Sequence, residues 1–301
     1  MINPFHIIRA SDGAVAKPAV PITLEASRQR GAEPFGRYVL SSQLATTINV
    51  ALALDQPLLV TGEPGCGKTA LAWAVAAQLG CDVLEFHTKS TSTARDLLYQ
   101  VDSLGRFHDA NAHDPTAKDA NNYLEYRALG QAIQSSSTTV VLIDEIDKAP
   151  RDFPNDLLNE LDRMEFEVSD ARPKLTFKAT AKHFVLITSN NERRLPMPFL
   201  RRCVYANIEF PGPEMLATIV ELHCGAPSKS FAALAVKRFL ELRDTPRLDK
   251  RPAMSELISW VHVLRRMGID EDELARLPKG KLPALETLIK MIDDLRTVRA
   301  S

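Results

Sequence analysis

No charge of one sign dominates this sequence: 37 Lys and Arg stand against 38 Asp and Glu, for a formal net charge of -1. That balance supplies no global basic field to hold nucleic acid or an anionic membrane, so any such contact must be local, and nucleic acid is not the expected partner. Cysteine is scarce too. The four present, Cys66, Cys81, Cys203 and Cys224, form no CxxC pair and no Cys/His spacing of a zinc site, which leaves reduced thiols without metal as the expectation. Long apolar runs are missing: no segment reaches the ~18 residues of a membrane span, and Met1 to Ala10 offers no stretch long enough for a signal core. A cytoplasmic protein is expected.

The rest of the composition, 45% hydrophobic and 25% charged over 301 residues, is that of a chain that buries a core. Single cores stop growing at roughly 250–300 residues, so one domain boundary is sought. Residues 1–35 carry Pro4, Pro18, Pro21 and Pro34 among short polar stretches and suit an extended, flexible arm. From Ser42 to Leu54, Leu44, Ile48, Ala51 and Leu52 recur at helical spacing behind the cap-like pair Ser41-Ser42, and Pro57 forces a new start. Five short apolar runs follow: Leu58–Thr61, Val83–Phe86, Thr139–Ile143, Phe184–Thr188 and Val204–Glu209. They are separated by helical patterns over Lys68–Leu79, Leu124–Gln134 and Phe153–Met164, and short strands alternating with helices predict a largely parallel α/β sheet covered on both faces. Asn111 to Asn122 is polar and aperiodic and reads as a mobile surface loop. After Pro211-Gly212-Pro213 only helical patterns remain, over Glu214–His223, Phe231–Arg243, Pro252–Met267 and Leu282–Val298. The boundary is placed near residue 212, between an α/β domain (36–212) and a small helical domain (213–301).

Directly after the first strand stands Gly62-Glu63-Pro64-Gly65-Cys66-Gly67-Lys68-Thr69, which meets GxxxxGK[ST] at every required position. The glycines let backbone N–H groups turn inward around phosphate oxygens, at the start of a helix whose dipole favours anions. Lys68 would reach the β- and γ-phosphates, and the Thr69 hydroxyl is the expected Mg2+ ligand. The third apolar run ends in Asp144-Glu145, at the sheet edge where open α/β proteins bind ligands. Asp144 suits the magnesium shell and Glu145 suits polarisation of a water, so one carboxylate serves metal and the other hydrolysis. The fourth run ends in Ser189-Asn190-Asn191, where the Asn190 amide can hold the attacking water or the γ-phosphate opposite Glu145; asparagine at a strand end is equally a turn former. Arg193, Arg194, Arg201 and Arg202 crowd a short stretch, and a helix begun by Pro196 and Pro198 would present Arg201 and Arg202 at its end. The planar, permanently charged guanidinium fits a γ-phosphate, here that of a neighbouring subunit, or else serves a solvated basic patch.

These residues resemble an AAA+ ATPase, and within that superfamily the MoxR group. The resemblance is carried by GEPGCGKTALA at 62–72, VVLIDEIDKAP at 140–150, FPNDLLNELD at 153–162, ITSNNERRLP at 187–196 and PFLRRC at 198–203, and with the helical tail it spans residues 38–300. It implies a P-loop three-layer sandwich with a five-stranded parallel sheet of order 5-1-4-3-2, a small all-α lid, and hexameric rings with ATP and Mg2+ between subunits. It also implies remodelling of protein clients alongside a partner that carries a von Willebrand factor A domain. Carried over by position, Gly62 to Ala70, with Lys68 and Thr69, form Walker A. Asp144 and Glu145 form Walker B, Asn190 is sensor 1, and Arg202 is the arginine finger with Arg201 its close competitor. For sensor 2, Ser255 and Glu256 stand where an arginine is sought, and Arg251 is the alternative. Leu98 to His108 has the length of a pore-facing β-hairpin with Phe107 as client contact or core, and Cys66 is either an oxidant-sensitive thiol or a small loop residue. Three other readings stand beside an ATP-driven remodeller: a nucleotide-gated assembly protein with little turnover, a DNA-directed AAA+ ATPase, and a small-molecule P-loop kinase. The last would need acceptor chemistry that the helical tail does not display.

Overall fold

The computed structural model describes Ile8 and residues 38–300 apart from 116–118, 172–173, 226 and 247. These residues divide into two compact units. One holds Ile8, 40–61 and 68–207; the other holds 38–39, 62–67 and 208–300. Of the N-terminal arm, all but Ile8 lies outside the described residues. Ile8 is buried, and its backbone N–H and C=O both bond the side chain of buried Asn49.

The first unit opens with α1 (Ser42–Leu54), whose cap is the Ser41 hydroxyl accepting from the Leu44 N–H at 3.2 Å. Its main sheet contains β1 (Leu58–Gly62), β2 (Asp82–His87), β5 (Thr139–Asp144), β8 (Phe184–Ser189) and β9 (Val204–Ile208), in the order β2-β5-β8-β1-β9. Counted among themselves, and from the other edge, these strands run 5-1-4-3-2. The pairs β1/β8, β2/β5 and β5/β8 are parallel. The central strands β5 and β8 are buried at every position, which is why Val140 to Ile143 and Phe184 to Ile187 are unbroken apolar runs rather than alternating ones. Edge strands β2 and β9 are only partly buried. Helix α2 (Lys68–Leu79) buries Leu71, Ala72, Val75 and Ala76, and the short α3 (Ala94–Leu98) buries Leu97 and Leu98. Leu129 and Ile133 from α5 (Ala128–Gln134) join Phe153, Leu157 and Phe199 in the core around Val141, Ile143 and Ile187.

Among the described residues, four further strands lie outside this sheet, as two antiparallel pairs: β3 (Tyr99–Val101) with β4 (Leu124–Tyr126), and β6 (Glu165–Val168) with β7 (Leu175–Lys178). Aromatic rings join the pairs, Tyr99 to Phe166 at 6.3 Å and Tyr126 to Phe177 at 5.4 Å between centroids. The hairpin expected within Leu98–His108 is therefore corrected. Asp102 follows β3 and caps α4 (Ser103–Asn111) by accepting from the Gly105 N–H, while the strand partner lies more than twenty residues away in the segment expected to begin a helix. Phe107 is on α4 and exposed, not core. Part of the polar loop 111–122 lies outside the described residues; Ala120–Tyr123 is a single 3-10 turn. The helix expected over Phe153–Met164 is two short ones, α6 (Phe153–Asp156) and α7 (Leu158–Arg163). The chain then passes through α8 (Met197–Leu200) into β9.

The second unit contains α9 (Pro213–His223), α10 (Lys229–Arg243), α11 (Met254–Arg266), α12 (Glu271–Arg276) and α13 (Ile292–Ala300). Its core is centred on Trp260, Phe239, Leu242, Leu264 and Leu285, and the Trp260 indole N–H donates to the Pro283 carbonyl at 2.7 Å. The single helix expected over Leu282–Val298 does not form: Ala284 adopts φ 52°, one 3-10 turn follows, and α13 starts only at Ile292. Helix α12 has no expected counterpart, because Leu274 is its one buried residue and leaves no apolar period to read.

Candidate nucleotide site

The phosphate loop belongs, by packing, to the helical unit. Gly65 and Gly67 adopt φ 76° and 93°, values that a side chain rarely tolerates. A Cβ on Gly65 would also lie 2.8 Å from both the Ala253 Cβ and the Ser255 Oγ at the start of α11. Ser255, one of the residues at the expected sensor 2 position, thus lies against the loop itself. The loop's Glu63 forms an ion pair with Arg243, a buried arginine in the last turn of α10. The Arg243 guanidinium also donates to the Pro252 carbonyl and lies over the Phe210 ring, 3.6 Å from its centroid. Arg251 is exposed, and among the described residues the arginine of the helical unit paired with this loop is Arg243, which nothing in the sequence pattern singled out. Cys66 is buried, in keeping with a small loop residue. Beside it, burial raises the pKa of Tyr38 above the usual phenol range.

In the α/β unit, α2 presents Lys68, which is buried, and Thr69, whose hydroxyl donates to Asp144 Oδ1 at 2.9 Å. The same Oδ1 accepts from the Thr188 hydroxyl at 2.7 Å, and Oδ2 is 3.3 Å from His87 Nδ1, directly across the β2/β5 register. Asp144 closes β5, and Glu145 turns out of it in the left-handed region at φ 57°. Strained turns of this kind recur where functional side chains leave a sheet edge. Its carboxylate is held on both sides: Asn190 Nδ2 donates to Oε1 at 3.1 Å, and the Lys148 ammonium meets Oε2 at 2.5 Å. This bond raises the Lys148 pKa.

The structure thus brings Thr69, Asp144, Glu145 and Asn190 into one connected cluster at the ends of β5 and β8. Hydroxyl and carboxylate oxygens of this kind are hard ligands that suit Mg2+, which takes one or two protein ligands and completes its shell with water and phosphate. Among the described residues there is no grouping of three or more His, Cys, Asp and Glu side chains fit to cage a metal. The two arginines behave differently. Arg202, exposed after α8, donates its Nε to Asp162 at 2.6 Å and an Nη to the Pro198 carbonyl. Arg201 is exposed, and its guanidinium has no ion-pair partner among the described residues.

Sequence reasoning missed Thr188, Asp147, Lys148 and Arg243. Asp147 and Lys148 lie inside the quoted IDEIDKAP segment, so their proximity to Glu145 was available as a signal. Thr188 ends an apolar run and reads as a strand residue, and Arg243 reads as an ordinary helix-terminal cation.

Residues 57–203 match the AAA domain of the dynein-related subfamily. A curated relative, chromosome transmission fidelity protein 18 of Schizosaccharomyces pombe, is 29% identical over 182 residues, which cover 57% of this chain and 16% of that protein. This chain therefore spans about a sixth of the relative it matches. Among solved structures, the Thermotoga maritima RuvB Holliday junction branch migration motor aligns at 16% identity and a TM-score of 0.44, covering 78% of this chain and 65% of that one. A point mutant of RuvB aligns at 16% and 0.48, with 77% and 65% covered. No helix among the described residues is long and apolar enough to cross a membrane. The phosphate motif and the ends of β5 and β8 all fall within the matched segment 57–203, which is similar in sequence to an AAA domain.

Proposed function

We propose that this chain binds ATP with Mg2+ and hydrolyses it, and that it works as a ring of subunits, a hexamer on the MoxR resemblance. The observation that supports hydrolysis, over binding alone, is the placement of Glu145. Its carboxylate is aimed by Asn190 and lies next to Asp144, which Thr69 and Thr188 hold by hydrogen bonds. Bound magnesium supplies neutralisation of charge on the β- and γ-oxygens. Thr69 and Asp144 would hold it, and Lys68 would pair with the same phosphates. Glu145 then takes the proton of the attacking water. The Lys148 ammonium occupies Oε2, so it must move off before that oxygen can take up a proton. Arg202, or Arg201 in its place, would complete the site of the neighbouring subunit. For Arg202 this means exchanging Asp162 for a phosphate, and an exposed ion pair costs only ~0.2–1 kcal/mol to break.

The client is proposed from two directions. The MoxR resemblance supports a protein client and a partner carrying a von Willebrand factor A domain, and the net charge of -1 agrees with that reading. The similarity to a protein named for chromosome transmission fidelity supports a DNA-directed AAA+ role as the second reading. Phosphate release by wild-type and Glu145→Gln protein tests the hydrolytic core of the proposal; equal rates in the two would remove it. The ring is tested by light scattering of Glu145→Gln protein with ATP, where a strict monomer would exclude it. Stimulation of phosphate release by duplex or single-stranded DNA, set against stimulation by an unfolded protein, separates the two clients.

A further inference from the structure

Two turns leave the sheet edge side by side, one after β5 and one after β8, and each lends the other a side chain. From β8, Thr188 is fully buried and its single hydroxyl is used twice: it donates to Asp144 Oδ1 at 2.7 Å and accepts the Glu145 backbone N–H at 2.8 Å. In the opposite direction, the buried Asp147 carboxylate accepts the backbone N–H groups of Asn190, at 3.1 Å, and Glu192, at 2.9 Å. Glu145 and Asn191 both take left-handed backbone conformations, φ 57° and 59°, so neither turn is held by an ordinary strand ladder.

We infer that Thr188 and Asp147 are a reciprocal staple of positioning residues. Thr188 orients the Asp144 carboxylate and anchors the backbone of Glu145. Asp147 fixes the turn that aims the Asn190 amide at Glu145. The inference rests on the hydrolytic reading of Asp144, Glu145 and Asn190 given above. Its physical content is a division of labour. Thr188 acts on both carboxylates, and through Asp144 on the metal side, whereas Asp147 acts only on the Asn190 side. A hydrogen-bond partner one step behind a ligand sets that ligand's orientation and basicity, and its loss typically costs about 10–100-fold in metal affinity or activity.

The division is tested by titrating Mg2+ into each variant with a fluorescent ATP analogue, alongside phosphate release. Thr188→Val keeps the shape of the side chain and removes the hydroxyl. The Mg2+ concentration needed for tight nucleotide binding should rise about tenfold, turnover should fall by at least as much, and affinity in EDTA should hold. Thr188→Ser should restore both quantities to near wild type. Asp147→Asn should lower turnover about tenfold and leave the Mg2+ titration unchanged. A wild-type Mg2+ dependence in Thr188→Val, or a serine variant no better than valine, overturns the Thr188 half. Wild-type turnover in Asp147→Asn overturns the other, and this variant carries the test even if valine at 188 fails to fold. If wild-type protein releases no phosphate, or Glu145→Gln releases it equally, the hydrolytic reading itself has failed; the Mg2+ titration, which measures binding, still decides Thr188.

Discussion

The turns at the ends of β5 and β8 and the arginine segment after α8 contrast in how their functional groups are satisfied. At the sheet edge, Asp144, Asp147 and Thr188 are buried and have their hydrogen-bond partners within the same chain. After α8, Arg201 and Arg202 are exposed, one without an ion-pair partner among the described residues and the other paired with Asp162 on the surface. A buried polar group must be satisfied at folding, so its geometry is already set. An exposed guanidinium gives up little when it leaves a surface carboxylate, so its working partner can arrive later, from another subunit. On the proposed reading, the first region is preorganised chemistry and the second a contribution held for a neighbour.

The comparison is broken most decisively at Arg202. If it acts on a neighbour's phosphate, Arg202→Ala should retain ATP affinity and lose turnover by ~10³–10⁵, the range for fingers in related P-loop enzymes, with Arg201→Ala milder. Mixing Arg202→Ala with Lys68→Ala subunits should restore part of the activity. The reverse ranking would mean that Arg202 belongs to Asp162 and that Arg201, which has no such tie, is the finger. At the preorganised edge, Glu145→Gln should bind ATP and lose about 10²–10⁴ in turnover, as expected for removal of a general base, while Lys68→Ala should lose nucleotide binding. Phosphate release and equilibrium nucleotide binding read both outcomes.

A smaller effect sharpens the contrast from within the buried region. Lys148 is a partly exposed cation on Glu145, and an exposed pair is worth ~0.2–1 kcal/mol, or up to about fivefold. Lys148→Met should therefore raise basal turnover by no more than that; a fall would place Lys148 among the groups that bind nucleotide. The smallest effect is expected at the far end of β8. His183 Nδ1 is 2.9 Å from the Thr139 hydroxyl, Nε2 is buried without a partner among the described residues, and burial holds the imidazole below its ordinary pKa of 6.5. A depressed histidine pKa favours the fold above the unfolded value. The contribution is lost as pH falls below 6.5 toward the folded pKa. Urea midpoints should drop between about pH 7.5 and 5.5, and His183→Gln should flatten that slope.

Much of the site could be read without coordinates because its chemistry is local in sequence. A glycine loop between a strand and a helix, and an acidic pair closing an apolar run, each point to a role within about ten residues. Lys148 was equally local, three residues from Glu145, and went unnoticed because a charged residue after a strand has a ready explanation as surface. Thr188 and Arg243 could not be read in that way. Thr188 meets Asp144 across 44 residues, and Arg243 meets Glu63 across 180. Nothing in the composition of either neighbourhood encodes the pairing.

The sequence by itself determined the elements whose burial is uniform or whose period is strong. Strands β5 and β8 are apolar throughout because both faces are covered, and α1 and α2 begin and end where caps, glycines and Pro57 require. Tertiary structure decided the rest. The pairing of β3 with β4 gathers segments of three residues each, too short to carry a period, and an aromatic cluster with Phe166 and Phe177 stabilises them. The Thr188 and Asp147 contacts likewise exist only because parallel pairing sets β5 beside β8 and brings their two end turns together. Patterning can specify which face of an element is buried. Which distant hydroxyl or carboxylate meets a backbone N–H depends on sheet register, a property of two strands at once.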